Sequence, residues 1–158
     1  MNSKITEEFI IEENYFNRLS SVISSIGDFK NFFEAEKGHD ITLLLASLLA
    51  TAIALRASDI HIEPEESDSK IRFRVDGLLQ DAAQINPEVA KTIYSRIKLL
   101  SGIKFNVINK PQDGRFAISI GKKQIEARVS LIPSNYGDSI VIRILNSENI
   151  LDLVDLGI

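Results

Sequence analysis

The sequence predicts an α+β protein, built from an antiparallel sheet, a central buried helix and a second helix packed on it, with a helical arm in front. Apolar and polar residues alternate along several short segments, with the period of two that is typical of half-buried strands. Of two longer segments, one before the strands is apolar nearly all round, and one between them carries apolar residues at helical spacing. Asp-Gly and similar turn residues separate neighbouring strand segments, which indicates hairpins and therefore antiparallel pairing.

The composition argues against two classes of protein. A net charge of −4 lacks the basic excess that a nucleic-acid-binding domain usually carries, so no nucleic-acid partner is expected. The chain has no cysteine, which excludes disulfides and thiolate metal sites and suits a reducing compartment.

Residues 1–38 are predicted to form a helical arm or linker. A helix is expected from about Glu7 to Ile26, ended by Gly27, and a second from Asp28 to Glu36. The first rests on apolar residues at helical spacing, namely Ile11, Tyr15, Leu19, Val22 and Ile26. Packing against the main domain is favoured over the alternative, a helix that binds a partner.

The apolar stretch Ile41–Leu55 is the predicted central helix. It is shorter than the roughly 20 residues that span a bilayer, so a buried helix is favoured over a membrane segment. Asp40 is a suitable N-cap, and the helix is expected to run to about Ala57. A second helix should start at Asn86-Pro87 and end at Gly102, where a left-handed residue often terminates a helix.

Two strands with oppositely charged polar faces follow the central helix. The polar face of the first strand carries Asp59, His61 and Glu63, and that of Lys70–Asp76 is mainly basic. The two faces can therefore pair across the ladder. Asp76-Gly77 supplies a tight turn into a third strand, Leu78–Ile85.

A hairpin around Gly121 is predicted to place two arginines opposite each other. Lys110–Arg115 has turn chemistry, and a two-residue loop keeps the apolar residues of both strands on one face. This register sets Arg115 against Arg128, which is unfavourable by roughly 0.2–1 kcal/mol. An acid or a bound anion would justify the pair, although a solvated sheet face is the simpler reading.

The last strand is predicted at Ser139–Leu145, after a turn region at Pro133–Asp138. If this strand neighbours the hairpin, Arg143 is a third arginine on the same face. Residues 146–158 are expected to be a connector, because their apolar ending indicates a longer protein.

Several segments in one order resemble the bacterial secretion ATPases, which include the type II secretion assembly ATPase and the type IV pilus assembly ATPase. The resemblance covers Ile41–Ile158, and residues 1–38 carry no motif of that family. It rests on the segments ASDIHIEP, RFRVDG, KPQDGRF, Arg128–Ser130, Val141–Arg143 and Leu153–Ile158.

The resemblance implies that residues 39–145 are the second N-terminal domain of such an ATPase, with a PAS-like fold ahead of a RecA-like ATPase domain. It also implies a cytoplasmic hexamer at the inner membrane that uses ATP and Mg²⁺. Its partners would be its own ATPase domain, neighbouring subunits and a membrane platform protein. Arg115 and Arg128, and by extension Arg143, match arginines that contact nucleotide phosphates in that family.

The chain by itself is not expected to be an enzyme, since no G-x-x-x-x-G-K-[ST] phosphate loop occurs in it. Two alternatives remain open: a stand-alone PAS-like interaction or ligand-binding module, and an adaptor that docks through residues 1–38. A metal site at Asp59, His61 and Glu63 is disfavoured, because alternate strand positions lie about 7 Å apart. The loop Gly137–Ser139 departs from the family's glycine-glutamate, which leaves the partner of Asp138 undetermined.

Overall fold

The structure is a computed structural model that describes residues 7–36, 40–107 and 109–145. Its elements follow the order β1 (Glu8–Ile11), α1 (Glu13–Val22), α2 (Ile26–Glu36), α3 (Ile41–Ala54), β2 (Asp59–Pro64), β3 (Ser69–Val75), β4 (Leu78–Ile85), α4 (Pro87–Ser101), β5 (Gln112–Ile120), β6 (Lys123–Ser134) and β7 (Gly137–Leu145). The predicted connector, residues 146–158, lies outside the described part of the chain.

All seven strands belong to one sheet, in the order β1-β5-β6-β7-β2-β3-β4. Every neighbouring pair is antiparallel except β1 and β5, which are parallel. The α+β prediction is therefore confirmed. One face of the sheet is apolar and shares a core with the helices, as the fully buried side chains show: Phe29, Phe33, Leu48, Ile60, Phe73, Phe116, Ile118, Ile140 and Ile142. The opposite face carries the charged residues.

Helix α3 is the central helix of the core, as predicted. The Asp40 carboxylate accepts a hydrogen bond from the backbone N–H of Thr42 at 2.8 Å, which caps the helix. Ten of its residues are buried. The helix ends at Ala54 rather than Ala57, because Arg56 adopts a left-handed conformation with φ 58°. No helix within the described ranges is long and apolar enough to cross a membrane.

Helix α4 has the predicted ends. The Asn86 side chain accepts from the N–H of Val89, Pro87 occupies the first turn, and Gly102 is left-handed with φ 73°. Both hairpin predictions also hold. Strand β2 pairs with β3 so that acidic residues face basic ones, and β5 pairs with β6 so that Arg115 faces Arg128.

Two predicted turns are shorter than expected. Lys110–Arg115 is not a turn throughout, because β5 begins at Gln112 and Gly114 lies within the strand. Pro133–Asp138 is mostly strand, and the β6–β7 loop consists of residues 135–136. In both places the turn-forming residues pair across the sheet instead, since tertiary pairing outweighs local preference.

The predicted helix from Glu7 to Ile26 is wrong at both ends. Its first residues form β1, in which Phe9 and Ile11 are buried while Glu8 and Ile10 are exposed. Gly27 does not end a helix but lies inside α2, which confirms the second predicted helix. The favoured reading, packing against the main domain, agrees with the core position of Phe29, whose ring centroid lies 5.2 Å from that of Phe73.

Candidate functional site

A row of charged residues crosses five neighbouring strands on the polar face of the sheet. Arg115 on β5 faces Arg128 on β6, and Arg128 in turn faces Arg143 on β7. Arg143 faces Asp59 on β2, and Asp59 faces Arg74 on β3. The register thus aligns four arginines and one aspartate, which we call the arginine row.

Glu126 anchors the β5–β6 end of the arginine row. It lies two residues before Arg128, so both side chains project from the same face. Its Oε2 lies 3.0 Å from Nε of Arg128 and 3.8 Å from Nη1 of Arg115. The side chain of Arg128 is 62 % exposed and that of Arg115 only 28 %. The predicted acid that would justify the facing arginines is therefore present.

Asp59 anchors the other end of the arginine row. Its side chain is 4 % exposed, and its Oδ1 accepts a hydrogen bond from Nε of Arg143 at 3.0 Å. Its Oδ2 lies 3.6 Å from Nε of Arg74 and accepts from the Ser58 hydroxyl at 3.1 Å. A buried carboxylate is tolerated when it is paired and hydrogen-bonded in this way. Arg143 itself remains 64 % exposed.

The arginine row carries more positive than negative charge. Within the described part of the chain, its four guanidinium groups form ion pairs with two carboxylates, those of Asp59 and Glu126. Arg128 and Arg143 are adjacent and well exposed, so their planar forks can offer several N–H donors to one anion. Phosphate and carboxylate oxygens both suit this geometry, because each group accepts paired hydrogen bonds from guanidinium groups.

The next two rows on the same face hold His61 and Glu63 of the ASDIHIEP segment. Glu63 is paired with Arg72 at 2.5 Å, and its other oxygen lies 3.9 Å from Nδ1 of His61. Burial lowers the pKa of His61 below its usual range, against the opposing effect of Glu63 and Asp59. Glu63 is thus paired with Arg72, and Asp59 is paired with Arg74 and Arg143. Among the described residues, no three histidine or acidic side chains could hold a metal ion.

A cleft of about 500 Å³ opens at one end of the sheet, between the β2–β3 loop, α4 and the β6–β7 loop. Asp138 lies there with its Oδ2 3.9 Å from Nζ of Lys98, which identifies the partner that the sequence left undetermined. Burial raises the pKa of Tyr94, whose hydroxyl lies 3.4 Å from that of Ser69. Four acidic residues and two lysines line the cleft, so its charge excess is negative and does not favour an anion.

The structure brings together all three arginines named from the sequence. It adds Arg74, Asp59 and Glu126, which the sequence analysis did not assign to this site. Glu126 could have been found, because period two places it on the same face as Arg128. The contact between Asp59 and Arg143 could not, since it depends on β7 lying beside β2.

Comparison with known proteins identifies the relatives of this chain. The family described as Type II/IV secretion system protein matches residues 34–158. The type II secretion system protein E of Klebsiella pneumoniae is 37 % identical over 140 residues, covering 88 % of this chain and 28 % of that protein. The putative type II secretion system protein E of Escherichia coli (strain K12) is 42 % identical over 115 residues, covering 72 % of this chain and 23 % of that protein.

The type IV pilus assembly ATPase PilB of Myxococcus xanthus is 32 % identical over 171 aligned positions, covering 98 % of this chain and 30 % of that protein. The similarity therefore extends into residues 1–38, where no family motif was recognised. The chain spans less than a third of the length of each of these relatives. From the family match and these identities, the chain belongs to the type II/IV secretion system protein family.

Proposed function

We propose that this chain is the part of a secretion or pilus assembly ATPase that places arginines on the phosphates of ATP. The observation that carries the proposal is the arginine row, which aligns four guanidinium groups across five strands. Among residues 7–36, 40–107 and 109–145, these groups form ion pairs with two carboxylates. Such a surplus on an otherwise acidic chain of net charge −4 favours an anionic ligand at this face.

Arg128 and Arg143 are the residues that contact the phosphates directly. They face each other in register, and their side chains are 62 % and 64 % exposed. Arg115 is less exposed and shares Glu126 with Arg128. It therefore adds positive charge beside the phosphates without contacting them directly. Arginines placed in this way stabilise the charge that develops on a phosphoryl group during transfer.

The remaining machinery belongs to parts of the protein outside this chain. In this proposal the triphosphate and Mg²⁺ are held by an ATPase domain of the complete protein, which agrees with the greater length of the relatives named above. Residues 39–145 form a PAS-like domain that moves against that domain, and residues 146–158 connect the two. The complete protein is a cytoplasmic hexamer that works with an inner-membrane platform protein to assemble pilus or pseudopilus subunits.

The test is ATP turnover by the complete protein with Arg115→Ala or Arg128→Ala. We expect Arg128→Ala to lose about 10²- to 10³-fold in turnover, the effect of removing one donor that stabilises transition-state charge. Arg115→Ala should lose less, because Arg115 is not in direct contact with the phosphates. Arg96→Ala is the matched control, because it removes an equal charge from α4, where Arg96 donates to the Thr42 hydroxyl at 3.1 Å.

Circular dichroism of each variant shows whether the fold survives. Near-normal turnover in both Arg115→Ala and Arg128→Ala would reject the phosphate role.

A further inference from the structure

We infer that Asp59 is a positioning residue, which holds Arg143 so that its outer guanidinium edge faces the anion. The inference deepens the proposed function and rests on it. It also gives the ASDIHIEP segment a role, since this segment supplies no direct contact to the ligand in the proposal above.

The first support is the contrast in burial between the two partners. The Asp59 side chain is 4 % exposed, whereas that of Arg143 is 64 % exposed, although the two are joined by a 3.0 Å hydrogen bond. The carboxylate is further fixed by Arg74 and by the Ser58 hydroxyl. A fixed, buried acid beneath an exposed arginine acts as an anchor rather than as a competitor for the ligand.

The second support is the guanidinium atom that makes the contact. Asp59 accepts from Nε of Arg143, the donor nearest the backbone, and Glu126 accepts from Nε of Arg128 at 3.0 Å. Each acid therefore holds the inner edge of one fork. Within the described residues, the recorded contacts of these two arginines involve Nε alone, so the paired Nη groups can meet phosphate oxygens.

Anchoring matters because an arginine side chain is long and flexible. Ordering a free arginine costs side-chain entropy when it binds its ligand. An arginine already held at Nε has lost part of that freedom before the ligand arrives, which is preorganisation. Loss of Asp59 would therefore weaken the site even though it makes the arginine row more positive. Charge counting alone predicts the opposite, namely that loss of Asp59 strengthens anion binding.

The wild-type 158-residue chain tests the contact without any substitution. We expect the Nε–H protons of Arg143 and Arg128 to exchange with water more slowly in NMR spectra than that of Arg96, which donates through Nη1. Exchange of the Arg143 proton as fast as that of Arg96 would overturn the inference.

The functional test is Asp59→Asn in the complete protein. Asparagine keeps the size and one acceptor oxygen but removes the charge. We expect kcat for ATP hydrolysis to fall roughly tenfold with a smaller change in KM, because orientation acts mainly in the transition state. Glu63→Gln is the matched control, since Glu63 lies on the same strand and face but pairs with Arg72. An equal loss of kcat in both variants would contradict a specific role for Asp59.

A double substitution separates positioning from a merely structural effect. If Asp59 acts through Arg143, then Asp59→Asn should have almost no further effect on kcat once Arg143 is alanine. Additive losses would reject the inference. A loss with Arg143→Ala but none with Asp59→Asn would reject it while leaving the phosphate role of the arginines intact.

Discussion

Gly114 is the position at which a single methyl group should disturb this fold most. It lies within β5, opposite Val129, where the last residue of α4 meets the sheet. A Cβ atom on Gly114 would lie 2.2 Å from the carbonyl oxygen of Ser101 and 2.9 Å from its Cβ. Glycine within a strand often marks such a close approach of another backbone segment.

The expected magnitude for Gly114→Ala follows from what must move. Ordinary contacts at a Cβ begin at 3.4 Å, so the backbone of α4 or β5 must shift by about 1 Å to admit the methyl group. Rotation of the Ser101 side chain cannot relieve the clash, because its carbonyl oxygen and its Cβ atom are both fixed by the backbone. We expect a loss near the upper end of the range for overpacking, about 3 kcal/mol in the free energy of unfolding.

Urea denaturation of the 158-residue chain measures this loss directly, and the melting temperature should fall by about 6–12 °C. Gly27→Ala is the control, since a Cβ there meets only the Ser25 hydroxyl oxygen at 3.7 Å within α2. That variant should be unchanged or gain up to about 1 kcal/mol. A denaturation midpoint for Gly114→Ala equal to that of the wild type would refute the reasoning.

Three further substitutions test other parts of the structure. Phe29→Ala should lower the free energy of unfolding by about 3–5 kcal/mol in urea denaturation, because the ring is fully buried against Phe73; a loss below about 1 kcal/mol would mean that the arm is peripheral. Asn86→Ala should lower it by about 1 kcal/mol through loss of the helix cap on the N–H of Val89, and an unchanged midpoint would contradict that cap. Burial lowers the pKa of His61 in the folded state, so the unfolded state binds more protons and stability should fall as the pH drops through about 6.5. His61→Gln should lose less stability than the wild type between pH 7.5 and pH 5, and parallel pH profiles would show that His61 does not contribute.

Local chemistry was enough to predict much of the fold. The helix caps at Asp40 and Asn86, the Asp76-Gly77 turn and the opposition of Arg115 and Arg128 all depend on residues close in the sequence. The hairpin register in particular follows from parity, because a shift by one residue would turn the apolar face of a strand towards water.

The predicted secondary structure was wrong where contacts between residues distant in the sequence outweigh local conformational preference. The first residues of the predicted arm helix form β1 because Phe9 and Ile11 complete the apolar face beside β5. Asp113 and Gly114 look like a turn but belong to a strand, because α4 packs closely against that position. Neither partner is near in the sequence, so neither constraint can be read from local pattern.

The sequence by itself determined the α+β class, the hairpins, the helix limits at their capped ends and the register that sets Arg115 opposite Arg128. Only the tertiary structure decided that β7 lies between β6 and β2. That strand order brings Asp59 beside Arg143, although the two residues are far apart in the sequence. The separate charged positions thereby form one continuous row. The physical reason is that strand order depends on packing of the whole apolar face, whereas hairpin register depends on neighbours joined by a short loop.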